Sequence, residues 1–142
     1  MKYSIKIDGI ADHRKDIVDN LLVENDLYEC SKADLVEGGY IDEDIPKYEC
    51  KIRDIEFVPD AEDANLLHIM IGGIFVGDVP QKNLSRVRNI IDKKDPDISW
   101  SLTNGPCKSI SQDYDYDKEK YSYAVDTINA EIDAKITFKY KK

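Results

Sequence analysis

A chain of 142 residues can fill one hydrophobic core and is short of the length at which cores divide, so a single domain over 1–142 is expected. With 42% hydrophobic and 35% charged residues, disorder through low hydrophobicity is excluded. The net charge of -9, from 29 acidic and 20 basic side chains, excludes the basic excess by which most nucleic-acid binders displace counterions from phosphate; it leaves solubility, or steering toward a basic partner surface.

Residues 2–7 alternate, with Tyr3, Ile5 and Ile7 on one side, and predict a half-buried strand ending at Gly9. Ile17, Val18, Leu21 and Leu22 recur at helical spacing in the segment that follows. Ser31 and Asp34 stand as a capping pair before a further short helix, with Gly38-Gly39 as its stop. Between Tyr48 and Phe57 the apolar parity slips: Tyr48, Cys50 and Ile52 share one side, Ile55 and Phe57 the other. That slip predicts one long strand bent by a β-bulge near Arg53-Asp54. Leu67, Ile69 and Ile71 alternate up to Gly72-Gly73, and Ile74-Phe75-Val76 returns, a tight hairpin. After Pro80, Leu84, Val87, Ile90 and Ile91 mark the buried stripe of a helix.

The last third reads as strands: DISWSL, KSISQDY, KYSYAVDT, and AEIDAKITFKY with Ala130 to Tyr140 alternating apolar and polar. No linker composition and no repeat interrupts the chain. The N-terminus carries a strand pattern in place of a signal peptide's apolar block, and no window is apolar enough to span a bilayer, so a cytoplasmic address and no membrane partner are expected. Cys30, Cys50 and Cys107 are an odd number and are expected as free thiols.

No phosphate loop, nucleophile elbow or zinc-protease spacing occurs, and neither His13 nor His68 stands in a catalytic setting, so no enzyme and no cofactor are expected. The two Tyr-Glu-Cys copies ending at Cys30 and Cys50 lack a C-x-x-C knuckle and are better explained as small buried thiols than as a metal site. Asp113-Tyr114-Asp115-Tyr116-Asp117 opens like a calcium loop, but Lys118 stands where the loop needs glycine and Ala124 where it needs glutamate; a polar hairpin tip with exposed tyrosines is expected.

The order of strand, short helix, bent strand, acidic turn, G-x-V-P hairpin and helix resembles the HIRAN domain over residues 3 to 91. Asp63 and Asn65 match the Asp and Asn of the family's first motif, Leu66 and Leu67 stand at its apolar pair, and Gly73, Val76, Gly77 and Pro80 match its second. The resemblance implies an α+β fold with a small, bent, OB-like antiparallel barrel, two or three short helices and a C-terminal β-meander, organised as a core over 1–91 and a strand extension over 92–142. Residues 97–142 look like the tail of stand-alone family members from bacteria and their phages. In helicase-associated members the resemblance implies a pocket that captures the 3′ end of single-stranded DNA. Here Asp60 and Ala61 stand at the pocket's Asn and Pro, Glu62 at its Tyr or His, and Asp78 at the aromatic after the second motif's glycine, so carboxylates replace a stacking platform.

Two functions follow from these residues. One is a non-enzymatic acidic module, of phage or mobile-element origin, that occupies the basic nucleic-acid site of a host defence nuclease as a DNA mimic, through Asp60, Glu62, Asp63, Asn65, Asp78, Asp113, Tyr114, Asp115, Tyr116 and Asp117. The other is a domain that binds single-stranded DNA ends through the retained Asp63, Asn65 and Gly77-x-x-Pro80 frame.

Overall fold

The computed structural model describes residues 1–141 of a mixed α+β protein. Its contacts divide the chain into two interleaved units, one built from Met1–Val23, Cys50–Thr103 and the segment from Ile132 onward, the other from Glu24–Glu49 and Asn104–Glu131. Strands β2 (Leu22–Glu24) and β4 (Tyr48–Cys50) carry the chain out of the first unit and back. No helix among the described residues is long and apolar enough to cross a membrane.

In the first unit the alternating N-terminal segment forms β1 (Lys2–Lys6). It pairs antiparallel with β11 (Asp133–Lys139), from Lys2 opposite Lys139 to Lys6 opposite Lys135. Strand β8 (Asp97–Asn104) flanks β11 on the other side. A second sheet holds β5 (Ile55–Pro59), β6 (Leu67–Ile71) and β7 (Ile74–Asp78) in antiparallel order. The two sheets meet where Asp8 and Asp78 exchange both backbone hydrogen bonds, at 2.9 and 2.8 Å. Ile5, Ile7, Ile69, Ile71, Val76, Ile136 and Phe138 are buried, as are Ile17 and Leu21 of α1 (Arg14–Leu21) and Leu84, Val87 and Ile90 of α3 (Leu84–Lys93). On α3 the polar face is also used: Arg86 lies over the Tyr3 ring at 4.1 Å, and just before it Asn83 donates to the Tyr3 hydroxyl at 2.6 Å.

Two expectations are corrected here. The segment from Tyr48 to Phe57 is not one bulged strand: β4 ends at Cys50, β5 starts at Ile55, and Lys51 to Asp54 pair with no strand. The reason is that their backbone groups have other partners. Lys51 donates to the Leu21 carbonyl and accepts from the Trp100 indole at 3.0 Å, while Gly72 donates to the Asp54 carbonyl. The expected closed barrel is not formed either. Strands β5 and β8 are the outer members of their sheets and no ladder joins one to the other, so both sheets stay open.

The second unit is a three-stranded antiparallel sheet in the order β10 (Lys120–Ile128), β9 (Cys107–Asp115), β3 (Asp44–Pro46), with α2 (Lys32–Glu37) beside it. The expected cap is present: Ser31 Oγ accepts the Asp34 amide at 3.2 Å. Leu35, Ile45 and Ile110 make a small core, packed by Leu27, Tyr28, Val36, Tyr40 and Tyr123. The β9–β10 hairpin is nine pairs long, from Cys107 opposite Ile128 to Asp115 opposite Lys120, and runs out past Ile110.

Candidate functional site

The hairpin β6–β7 sets the geometry of the first group of candidate residues. Gly72 and Gly73 take φ of 57° and 80°, both positive, the two-residue turn whose twist suits a hairpin. Pairing starts as that turn dictates, Ile71 opposite Ile74 and Met70 opposite Phe75, then slips so that Ile69 faces Gly77 and His68 faces Asp78. Val76 is the extra residue of a bulge. Without it His68 would face Gly77, and Asp78 would project from the opposite side of the sheet, because neighbouring strand residues alternate faces. The bulge therefore aims Asp78 at His68.

His68 lies between two carboxylates, its Nδ1 2.5 Å from Asp78 Oδ1 and its Nε2 2.8 Å from Asp60 Oδ2. A neutral imidazole has one nitrogen lone pair, which would face a carboxylate oxygen repulsively; the arrangement fits the doubly protonated ring, donating from both nitrogens. Hydrogen bonds to Asp78 first and Asp60 second hold His68 above its ordinary pKa. Asp60 is held below the usual carboxylate range, chiefly by the Glu62 amide, then by His68 and the Asp63 amide. Phe75 packs edge-on against His68 at 5.1 Å and against His13 at 4.4 Å.

Asp60 also organises its own loop. Its Oδ1 accepts the amides of Glu62 and Asp63 at 2.8 and 3.0 Å, Asp63 accepts that of Asn65 at 2.9 Å, and Arg88 donates to the Ala64 carbonyl at 2.6 Å. These local bonds are the turn chemistry that short acids favour. Of the first group, then, Asp60 and Asp78 are brought together on His68, Asp63 and Asn65 shape the loop, and Glu62 is exposed. Both ring nitrogens are engaged, so His68 has neither lone pair nor open position for general-base work; the arrangement is a clasp that ties the loop to the hairpin.

The clasp makes stability depend on pH in a definite direction. His68 has a raised pKa, so its contribution is complete below the ordinary imidazole value of 6.5 and is lost as pH rises through the raised value. Asp60 has a lowered pKa, so its contribution is present above the ordinary value of 3.8 and is lost as pH falls through the lowered one. The urea midpoint of the wild type is expected to be higher near pH 6 than near pH 9, about the range an imidazole spans. His68→Gln should flatten that difference. Parallel pH profiles for the two proteins would remove the clasp from the stability of the fold.

The second group lies on the other unit. Asp113, Tyr114 and Asp115 end β9, and Tyr116 and Asp117 enter the turn that leads to β10. Asp115 Oδ1 accepts the amides of Asp117 and Lys118 at 3.0 and 3.2 Å, so the expected polar tip is built by an aspartate turn. Tyr114 meets Tyr116 edge-to-face at 4.8 Å and Tyr121 at 5.0 Å, and the three residues are 36%, 83% and 55% exposed. The preferred edge-to-face contacts order the rings without burying them. Tyr121 joins the candidate residues Asp113 to Asp117; its place opposite Tyr114 in the ladder selects it.

The three cysteines are unpaired and half-buried. Burial holds the Cys50 thiol above its ordinary pKa, against a hydrogen bond with the Leu102 backbone, so it stays protonated and a weak nucleophile at neutral pH. Comparison of the chain with protein families, with curated proteins and with solved structures found no match.

Proposed function

We propose that this chain is a non-catalytic, acidic protein-binding module whose contact is the tip of the β9–β10 hairpin. The observation that carries the reading is the exposed cluster of Tyr114, Tyr116 and Tyr121 among Asp113, Asp115 and Asp117. Ordered tyrosines offer large contact area at small entropic cost, and carboxylates interleaved with them select a surface rich in Arg and Lys. The partner class that fits is the basic nucleic-acid site of a host defence nuclease, of the CRISPR or restriction kind, entered in place of DNA by a protein of phage or mobile-element origin.

The first unit we read as a HIRAN-type, OB-like scaffold left open. What supports this is the G-x-V-P frame: Gly77 sits at the bulge, with Pro80 just beyond the strand and before α3. Where that family presents a stacking platform, this chain has Asp60 and Asp78 closed on His68. Single-strand binding draws about 1–3 kcal/mol from each stacked base, and the two carboxylates supply none of it.

The test joins two measurements. Labelled single strands with free and blocked 3′ ends are titrated at low salt, and cleavage by a CRISPR effector and a restriction nuclease is assayed with increasing protein. The proposal expects inhibition relieved by added DNA, and at least about 30-fold weaker inhibition by a Tyr116→Ala, Asp117→Lys variant, as for loss of a hot spot. Tight binding that depends on a free 3′ end would overturn it in favour of DNA-end capture.

A further inference from the structure

The second unit leaves one long edge uncovered. Strand β10 is an outer strand for nine residues, Lys120–Ile128, with no proline and no bulge, and every residue on it except the half-buried Tyr123 is exposed. Its partner is no better covered: Ser111 to Tyr114 of β9 are all exposed. A two-stranded hairpin without a covering layer is marginal in water, and a flat edge of this length is a template for another strand. The edge is also correctly presented. The Tyr123 carbonyl accepts from the Lys32 ammonium at 3.3 Å, so it points away from β9. On an antiparallel strand the amide and carbonyl of one residue point the same way and alternate residues share that direction, so Tyr121 and Val125 also face outward.

We infer that β10 pairs antiparallel with β10 of a second copy of this chain, about a twofold axis through Tyr123. The charges choose this register. Lys120 and Asp126 are the only charged side chains on the strand, and the axis at Tyr123 sets each against the other's counterpart in the second copy. It also sets Tyr121 against Val125, Ser122 against Ala124 and Tyr123 against itself. Opposite charges and aromatic–β-branched pairs are the cross-strand combinations that stabilise sheets. The Lys120–Asp126 pairs fall at non-hydrogen-bonded positions, where side chains lie closest. Moving the axis one residue, to Ala124, would set Lys120 against Ile128 and Asp126 against Ser122 and would pair no charge. Lys32 acts as a detachable guard, the edge lysine by which strands resist indiscriminate pairing; its single long bond gives way to the reciprocal amide bonds of the two Tyr123 residues. The product is an isologous dimer of the commonest symmetry, with a continuous six-stranded sheet and an acidic tip at each end. The pairing is independent of what the tips bind, and its failure would leave that reading standing.

Sedimentation of the full chain is expected to show a monomer–dimer equilibrium. Lys120→Glu sets glutamate against Asp126 at both ends and should weaken the dimer about tenfold or more, and adding Asp126→Lys should restore it. Both positions are exposed, and circular dichroism checks that the variants stay folded. Under mild oxidation a Ser122→Cys, Ala124→Cys variant should give a covalent dimer whose mapped bond joins 122 of one copy to 124 of the other, whereas wild type and Ala124→Cys alone stay unlinked. A monomer at all concentrations up to about 100 µM, where mass action would populate even a modest dimer, would overturn the proposal. So would linkage through 124 to 124, or a Lys120→Glu, Asp126→Lys variant no better than Lys120→Glu alone.

Discussion

Alanine at position 77 is expected to destabilise the protein by about 4 kcal/mol, the sum of backbone strain and an overpacked contact. Gly77 has φ of 147°, a conformation that side chains rarely adopt. A Cβ added there would stand 2.4 Å from the Asp8 carbonyl oxygen and 2.5 Å from Ile7 Cγ2. Neither neighbour can yield cheaply. The Asp8 carbonyl accepts the Asp78 amide in the bridge that joins the two sheets, and Ile7 is buried in the core. Relief would require β7 to move away from Ile7 and Asp8, breaking the Asp8–Asp78 bridge. Gly73→Ala is the control, because Gly73 also has positive φ, at 80°, but no atom lies within 4 Å of its Cβ position; strain alone, about 1 kcal/mol, is expected there. Urea unfolding followed by the fluorescence of the single tryptophan, Trp100, reads the first unit directly. Equal midpoints for the two alanine variants would show that close approach at Gly77 adds nothing.

Phe138→Ala should cost about 3–5 kcal/mol, the usual toll for emptying a buried aromatic site. Phe138 is 0% exposed on the central strand β11, with Phe57 stacked at 5.6 Å and Tyr3 at 6.3 Å. The cavity cannot collapse readily, because Tyr3 is fixed from its other side by Asn83 and Arg86. Phe138→Leu keeps most of the volume and should cost about 1.5 kcal/mol, at the upper end for a hydrophobic swap. In a double-mutant cycle with Phe57→Ala the coupling should be about 0.5–1.5 kcal/mol, the share of ring stacking beyond area. A loss for Phe138→Ala no larger than for Phe138→Leu would mean that the site closes after truncation.

What was legible in the sequence followed from local pattern. The alternation in Tyr3–Ile7 and in Ala130–Tyr140 yields the strands Lys2–Lys6 and Asp133–Lys139, and the glycine turn at 72–73, the Ser31 cap and the stripe of Leu84 to Ile91 form the elements their spacing predicts. What was not legible depended on which strands meet. Nothing local says that β1 pairs with β11, more than a hundred residues away, or that β10 is left outermost. The parity slip at Tyr48–Phe57 imitates a bulge because a break between two strands and an inserted residue shift the pattern alike. The actual bulge at Val76 leaves no trace, since Ile74-Phe75-Val76 is apolar throughout and hides its phase. That bulge is why the clasp went unread: a regular hairpin counted from Gly72-Gly73 puts Asp78 on the side away from His68. By charge alone Asp60 and Asp78 point to a basic partner, whereas in the fold they share the His68 of the hairpin.

The interleaved units constrain how the protein is made. The ribosome delivers β1 more than a hundred residues before β11, yet β11 is the middle strand of the sheet to which β1 belongs. Until Asp133–Lys139 emerges, β1 and β8 have no common neighbour, and the edge of β1 waits unpaired while the whole of Glu24–Glu49 and Asn104–Glu131 becomes available to fold. Long-range closure of this kind is slow, and open strands are prone to wrong pairings during the delay. Lys2 and Lys6, on the outward side of β1, place charge along the strand that must wait longest, and in the nascent chain they act as a brake on aggregation.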